Sequence, residues 1–139
     1  MAENIKLEIV TPEKYVVSED VQIVMSPGSL GEFGVLAGHT PFLTSLQCGK
    51  VRYKDPAGSE HLIFVSGGFA EALPDRVTIL AESAERSENI DYERAKAAYE
   101  RAQERLASQK ENLDYARAKA ALQRALTRMN IAQGSGGSH

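Results

Sequence analysis

Between Asp91 and Ala132 the chain contains no proline and no glycine, whereas all five of its prolines fall at or before Pro74. Both residues break helices and both punctuate turns, so the architecture must change where they stop, at about residues 83 to 90. Residues 1–84 are therefore expected to form an antiparallel β-sandwich and residues 91–133 an antiparallel α-helical hairpin, with residues 85–90 as the hinge. The last six residues, GSGGSH at 134–139, read as a flexible tail added for expression.

In the first part short apolar runs recur between Gly and Pro breaks, the rhythm of a sandwich or barrel. Ile5, Leu7 and Ile9 alternate with Lys6 and Glu8, the period of a half-buried strand, and Thr11-Pro12 ends it. Further strands are expected at 15–17, 21–25, 50–53, 62–65, 69–73 and 77–80, with Asp55-Pro56-Ala57-Gly58 as a turn. Gly31 to Gly49 reads as a shaped loop. Gly31, Gly34 and Gly38 accept positive φ and Pro41 pushes Thr40 toward extension, which places a sharp reversal around Val35 and Leu36. Val35, Leu36, Phe42, Leu43 and Leu46 are its candidate core residues.

The second part is dominated by Ala, Arg, Glu, Lys and Leu, strong helix formers. Asp91 is a natural N-cap, and Tyr92, Ala95, Tyr99, Ala102 and Leu106 share one face of a first helix. Tyr115, Ala118, Leu122, Ala125 and Met129 do the same in a second helix, from about Leu113. The polar interval Ser108 to Asn112 is the expected reversal. Two such Ala-rich stripes bury little area, so the hairpin should be marginal unless it docks on something.

Charge divides as sharply as composition. Residues 1–84 carry 11 acids and 6 bases, residues 85–133 carry 8 acids and 10 bases, and no acid follows Asp114. Lys110, Arg117, Arg124 and Arg128 recur at i, i+7, i+14 and i+18 as a basic stripe, which suits either a solvated face or an acidic partner. Arg94 and Arg101, seven apart on the first helix, and Arg124 and Arg128, four apart on the second, suit either phosphate binding or ion pairs with Glu88, Glu93 or Glu104.

Composition and motifs argue against several function classes. The net charge of −3 and the absence of Trp argue against nucleic acid. His39 and His61 lack Cys, Asp or Glu neighbours at metal-ligand spacing, Ser26 to Gly31 lacks a Walker ending, and no nucleophile elbow occurs. No catalytic set and no metal site are expected. From the residues alone, His39 is a turn residue and Glu32 a solvated carboxylate. Cys48, the lone cysteine, is expected to be a small buried hydrophobe. No run reaches the ~20 apolar residues of a membrane span, and the N-terminus lacks the pattern of a leader.

Three phrases carry a resemblance over residues 5 to 132. GEFGVLAGHTPFLTSLQCG at 31–49 follows the form G-x-x-G-V-L-x-x-H-x-P-x-L-T-x-L, SGGFAEALPDRVTIL at 66–80 follows G-G-F-x-E…V-T-I-L, and Ile90-Asp91-Tyr92-Glu93-Arg94-Ala95 matches I/L-D-x-x-R-A. The chain thus resembles the ε subunit family of the bacterial and chloroplast F-type ATP synthase, the bacterial type in particular. Phe33 and Gln47-Cys48 depart from the usual pattern.

The resemblance implies a non-catalytic subunit whose sandwich couples the γ shaft to the c-ring. Its hairpin would move between compact and extended forms and restrain ATP hydrolysis by meeting the β (and α) subunits. It implies that Glu32 and His39 face the rotor ring, and that Lys110, Arg117, Arg124 and Arg128 meet acidic segments of β. The I/L-D-x-x-R-A motif implies an ATP site on the compact hairpin, drawn from Glu85, Ile90, Asp91, Arg94, Ala95, Arg101, Arg124 and Arg128, with small Ala95 admitting the adenine. No cofactor is required, and ATP would be a regulatory ligand. The location implied is peripheral, on the cytoplasmic face of the bacterial plasma membrane or the stromal face of a thylakoid. Two other classes remain open: a free-standing nucleotide-sensing adaptor, and a nucleic-acid binder using the terminal basic helix.

Overall fold

The computed structural model describes residues 3–108 and 112–136, so Lys110 lies outside the described residues. The chain divides into two compact units, Met1–Arg86 and Ser87–His139.

The first unit is built from β1 (Ile5–Val10), β2 (Tyr15–Val21), β3 (Ile23–Gly28), β4 (Gly31–Leu36), β5 (Phe42–Leu46), β6 (Gly49–Lys54), β7 (Glu60–Val65), β8 (Gly68–Leu73), β9 (Arg76–Ala81) and β10 (Ala84–Arg86). They hydrogen-bond in the order β10-β7-β6-β3-β5-β8-β9-β1-β2, with β4 paired to β3 alone. Pairing is antiparallel throughout except between β1 and β9, which run parallel from Lys6↔Arg76 to Val10↔Leu80. Strand alternation builds the core. Ile5, Leu7 and Ile9 point inward with Val17, Val24, Val51, Tyr53, Ile63, Val65, Val77 and Ile79, each at most 1% exposed. β-branched side chains suit this role because they fill a pleated, fully buried face in few rotamers.

The stretch expected to be a shaped loop is two strands. Val35 is fully buried inside β4 and pairs with Val24, so the chain does not reverse at Val35 and Leu36. It reverses on either side, at Ser29-Leu30 and around Gly38, where φ is +81° and the amide is tied to the Pro74 carbonyl at 2.7 Å. Three glycines in eight residues suggested a turn, yet Gly34 serves a different need: the Met25 Sδ would lie 2.6 Å from any Cβ there. Of the five expected core residues, Val35 and Leu46 are buried and Phe42 half-buried, but Leu36 and Leu43 are exposed. Cys48 is half-buried. Glu85 and Arg86, read as hinge, pair with Phe64 and Ile63 in β10.

The second unit opens with a 3-10 turn at Ser87–Asn89, followed by α1 (Tyr92–Ser108) and α2 (Asn112–Gly136). The helices are antiparallel: Gln133 Nε2, near the end of α2, donates to the Tyr92 hydroxyl at the start of α1 over 3.2 Å. Ala95 and Ala102 in α1 and Ala118 and Ala125 in α2 are buried, two pairs each spaced by seven residues, together with Ile131. Of the expected stripes, Tyr115 is exposed and Ile131 is an addition. α2 runs on through Gly134 to Gly136, where a flexible tail was expected; a formed helix propagates readily, and a glycine opposes it by only about 1 kcal/mol. Among the described residues, no helix is long and apolar enough to cross a membrane.

Candidate functional site

The I-D-x-x-R-A phrase begins α1. Asp91 is its N-cap: its carbonyl accepts the Ala95 amide at 3.0 Å and its Oδ1 accepts the Arg94 amide at 3.1 Å. The first of these is the opening bond of the helix and the second satisfies one of the orphan donors of its first turn, while Glu93 adds a favourable charge beside the helix dipole. The Ile90 amide donates to the Ser87 carbonyl at 3.3 Å, closing the turn that precedes the helix. Arg94 and Arg101 are exposed and Arg124 and Arg128 half-buried. Ala95, expected to admit an adenine, is 4% exposed and already packed.

The Tyr92–Gln133 contact sets the register of the hairpin. With a rise of ~1.5 Å per residue on both helices, Arg101 lies near the level of Arg124, and Arg128 lies about one turn and Arg94 about two turns further toward the open end. The four arginine backbone positions therefore fall within a length of roughly 10 Å along the hairpin, about the extent of a triphosphate. Arg117 is exposed on α2, where Lys119 also projects into solvent. Glu85 belongs to the other unit.

In the sandwich, the two acid and imidazole candidates occupy the borders of β4. Glu32 is an exposed carboxylate, and it has a partner: the Arg52 Nη2 donates to both its oxygens at 3.3 Å, and Arg52 also lies 4.0 Å from Glu60. His39 Nδ1 donates to the Thr40 carbonyl at 2.7 Å, and its ring meets Phe42 edge-on, as Phe42 meets Phe33. That aromatic chain, with steps of 5.2 Å, links His39 to the neighbour of Glu32. Leu30, fully exposed at the β3–β4 tip, lies two residues from Glu32.

Two features were not anticipated from the sequence. Tyr53, 1% exposed, stacks on His61 at 4.8 Å and accepts a hydrogen bond from Arg86 Nη1 at 3.2 Å, while Arg86 Nη2 reaches Glu19 Oε2 at 3.4 Å. Burial pushes the Tyr53 phenol up to about 12, against the opposing pull of Arg86. His61 in turn meets Asp55 Oδ2 at 2.9 Å; that bond, helped by the Ser59 amide, holds the Asp55 carboxyl below its usual range. The second feature is an open groove of about 640 Å3, bordered by Val10, Pro12, Gly67, Phe69 and Leu80. Phe69 and Leu80 are cross-strand partners, 56% and 54% exposed. An outward-phase Phe opposite an outward-phase Leu was the readable signal, since such pairs face water unless a partner covers them.

No cluster of three or more His, Cys, Asp or Glu side chains able to hold a metal occurs among the described residues.

Comparison with known proteins converges on one family. Residues 4–87 match the model of the ATP synthase Delta/Epsilon chain β-sandwich domain, and residues 88–133 that of the long alpha-helix domain of the same chain. The chain is 68% identical over 108 residues to the ATP synthase epsilon chain of Desulfosudis oleivorans, covering 78% of this chain and 81% of that one. It is 63% identical over 109 residues to that of Desulforapulum autotrophicum, with the same coverage. Among solved structures, a chain of the Euglena gracilis mitochondrial ATP synthase, in an OSCP/F1/c-ring structure, is similar in fold: TM-score 0.79 at 24% identity, over 96% of this chain and 82% of that one. A chain of the Tetrahymena thermophila central stalk/c-ring structure gives 0.61 at 11% identity, over 94% and 98%.

Proposed function

The chain belongs to the delta/epsilon chain family of ATP synthase, as an epsilon subunit of bacterial type, and from that premise we propose that it is a non-catalytic coupling and regulatory subunit. The sandwich joins the γ shaft to the c-ring, and the hairpin restrains ATP hydrolysis at the β (and α) subunits. The observation that carries this is the unequal build of the two units. A core of Ile, Leu, Val and Tyr side chains suits a torque-bearing part, and an alanine seam suits an element that must hold two arrangements of similar free energy.

The subunit sits peripherally on the cytoplasmic face of the bacterial membrane. Glu32 and His39 mark the end of the sandwich that meets the rotor ring, where Arg52 fixes the Glu32 carboxylate in direction. The exposed Phe69–Leu80 pair supports a second protein-facing surface on the same unit. Arg117, Arg124 and Arg128, with Lys110 outside the described residues, form the surface for acidic β segments. Replacing these four by neutral residues should raise hydrolysis by the assembled enzyme; unchanged hydrolysis would remove the stripe from the mechanism.

ATP sensing is a second reading, favoured by the placement of four arginines from two helices within a triphosphate's length. A ligand bridging both helices binds only the closed hairpin and so shifts its equilibrium. Each charge-assisted contact is worth about 1.5 to 3 kcal/mol, so Arg94→Ala or Arg128→Ala should weaken ATP binding about tenfold or more in a calorimetric titration. No heat at millimolar ATP in the parent protein would rule the site out. A free-standing sensor, in contrast, would not co-purify with γ and the ring.

A further inference from the structure

We propose that Arg86 is a pin that sets the length of the tether between the two units, and through it the balance between the two arrangements of the hairpin. The proposal rests on the regulatory reading above. Arg86 is the last residue of the first unit. It lies on β10, which has three residues and pairs with β7 alone, so three residues of ladder are a weak hold on the strand at which the tether begins. The side chain supplies what the backbone lacks. One guanidinium nitrogen donates to the Tyr53 hydroxyl on β6 at 3.2 Å and the other reaches Glu19 on β2 at 3.4 Å. β10 and β2 are the two ends of the strand order, so a single side chain closes the sheet end to end exactly where the chain leaves it.

Upstream the chain is also fastened at Ser83, whose amide donates to Ser66 Oγ at 3.0 Å and whose carbonyl accepts the Ser66 amide at 3.0 Å. If the pin releases, Ala84, Glu85 and Arg86 can leave the sheet while Ser83 stays. The tether then gains three residues, roughly 10 Å at full extension. A longer tether lowers the effective concentration at which the hairpin returns to a fixed seat, and it widens the reach of the extended form. Release therefore favours the extended, restraining arrangement.

Hydrogen exchange on the full chain tests the pin directly. Arg86→Gln, Glu19→Gln and Tyr53→Phe, the last keeping the ring that stacks on His61, should each speed exchange at residues 84–86 at least fivefold and leave β1, β8 and β9 protected. Unchanged exchange at 84–86, or an equal rise over the whole sandwich, overturns the pin. In the assembled enzyme, Arg86→Gln should lower ATP hydrolysis at least twofold. Local loosening with unchanged hydrolysis overturns the tether role. Failure of the regulatory reading is seen separately, in the variant with a neutralised basic stripe, so the two failures are distinguishable.

Discussion

The two units hide very different side chains. The sandwich buries Leu7, Ile9, Tyr53, Ile63 and Ile79, at most 1% exposed, in contacts between strands far apart in sequence. The hairpin buries Ala95, Ala102, Ala118 and Ala125, and among the described residues its one large buried aliphatic is Ile131. Fully burying a Leu or Ile contributes about 1.5 to 3 kcal/mol, whereas a methyl group contributes about 0.8. One unit is thus held by its core, and the other by helix propensity, caps and a thin seam. The lesson is about function as much as stability: elements that move are drawn from the low-stability end of a structure.

The largest effect should break the sandwich and leave the comparison visible. At Gly68 φ is +141° and a Cβ would overlap the Leu80 carbonyl oxygen and lie 3.0 Å from the Ala81 Cα, both backbone atoms of β9. Gly68→Ala should cost more than about 3 kcal/mol, read as loss of the folded sandwich in urea. Gly38→Ala, strained in φ but facing open space, should cost only about 1 to 2 kcal/mol. In the hairpin, Ile131→Ala should cost about 2 to 4 kcal/mol. Because so little else holds that unit, the helical signal should melt well below the sandwich. If both units melt together at a lowered temperature, they are one cooperative body and the contrast fails.

Alkaline pH probes the sandwich more gently. The Tyr53 phenol ionises at about 12 when folded and at about 10 when unfolded. Its contribution is therefore complete below pH ~10 and lost as pH rises from ~10 to ~12, by an amount of order 2 kcal/mol. Absorbance at alkaline pH should show one tyrosine titrating last, and Tyr53→Phe should remove both that step and the extra alkaline destabilisation. A single tyrosine step near 10 would show the hydroxyl to be open to water.

What the sequence revealed followed local rules. The proline and glycine boundary, the alternation of Ile5, Leu7 and Ile9, the heptad-like alanines and the Asp91 cap are all short-range patterns. Gly34 misled because glycine answers two demands, positive φ and close approach, and only the fold distinguishes Met25 packing from a turn. β10 was missed because three residues with one buried position carry no period. The Tyr53–Arg86–Glu19 chain joins residues up to 67 apart, and no spacing rule connects them. The partner of Glu32 escaped notice for the same reason: Arg52 is twenty residues away across β3.

The smallest effect bears on the hairpin's most informative residue. Asp91 caps α1 through Arg94 and also stands in the motif that suggests a nucleotide. Asp91→Ala removes a cap worth about 1 kcal/mol, so the hairpin should melt a few degrees lower whether or not ATP is ever bound. Asp91→Asn keeps an oxygen that accepts the Arg94 amide while it discards the charge, and Asn caps about as well as Asp. Melting of the two variants, followed by the helical signal, separates these roles. If Asn melts with the parent and Ala below it, capping accounts for the stability term. An ATP titration of the Asn variant then isolates the rest: affinity equal to the parent would leave Asp91 as a cap alone, and weakened affinity in a hairpin of unchanged stability would make its carboxylate a contact of the nucleotide.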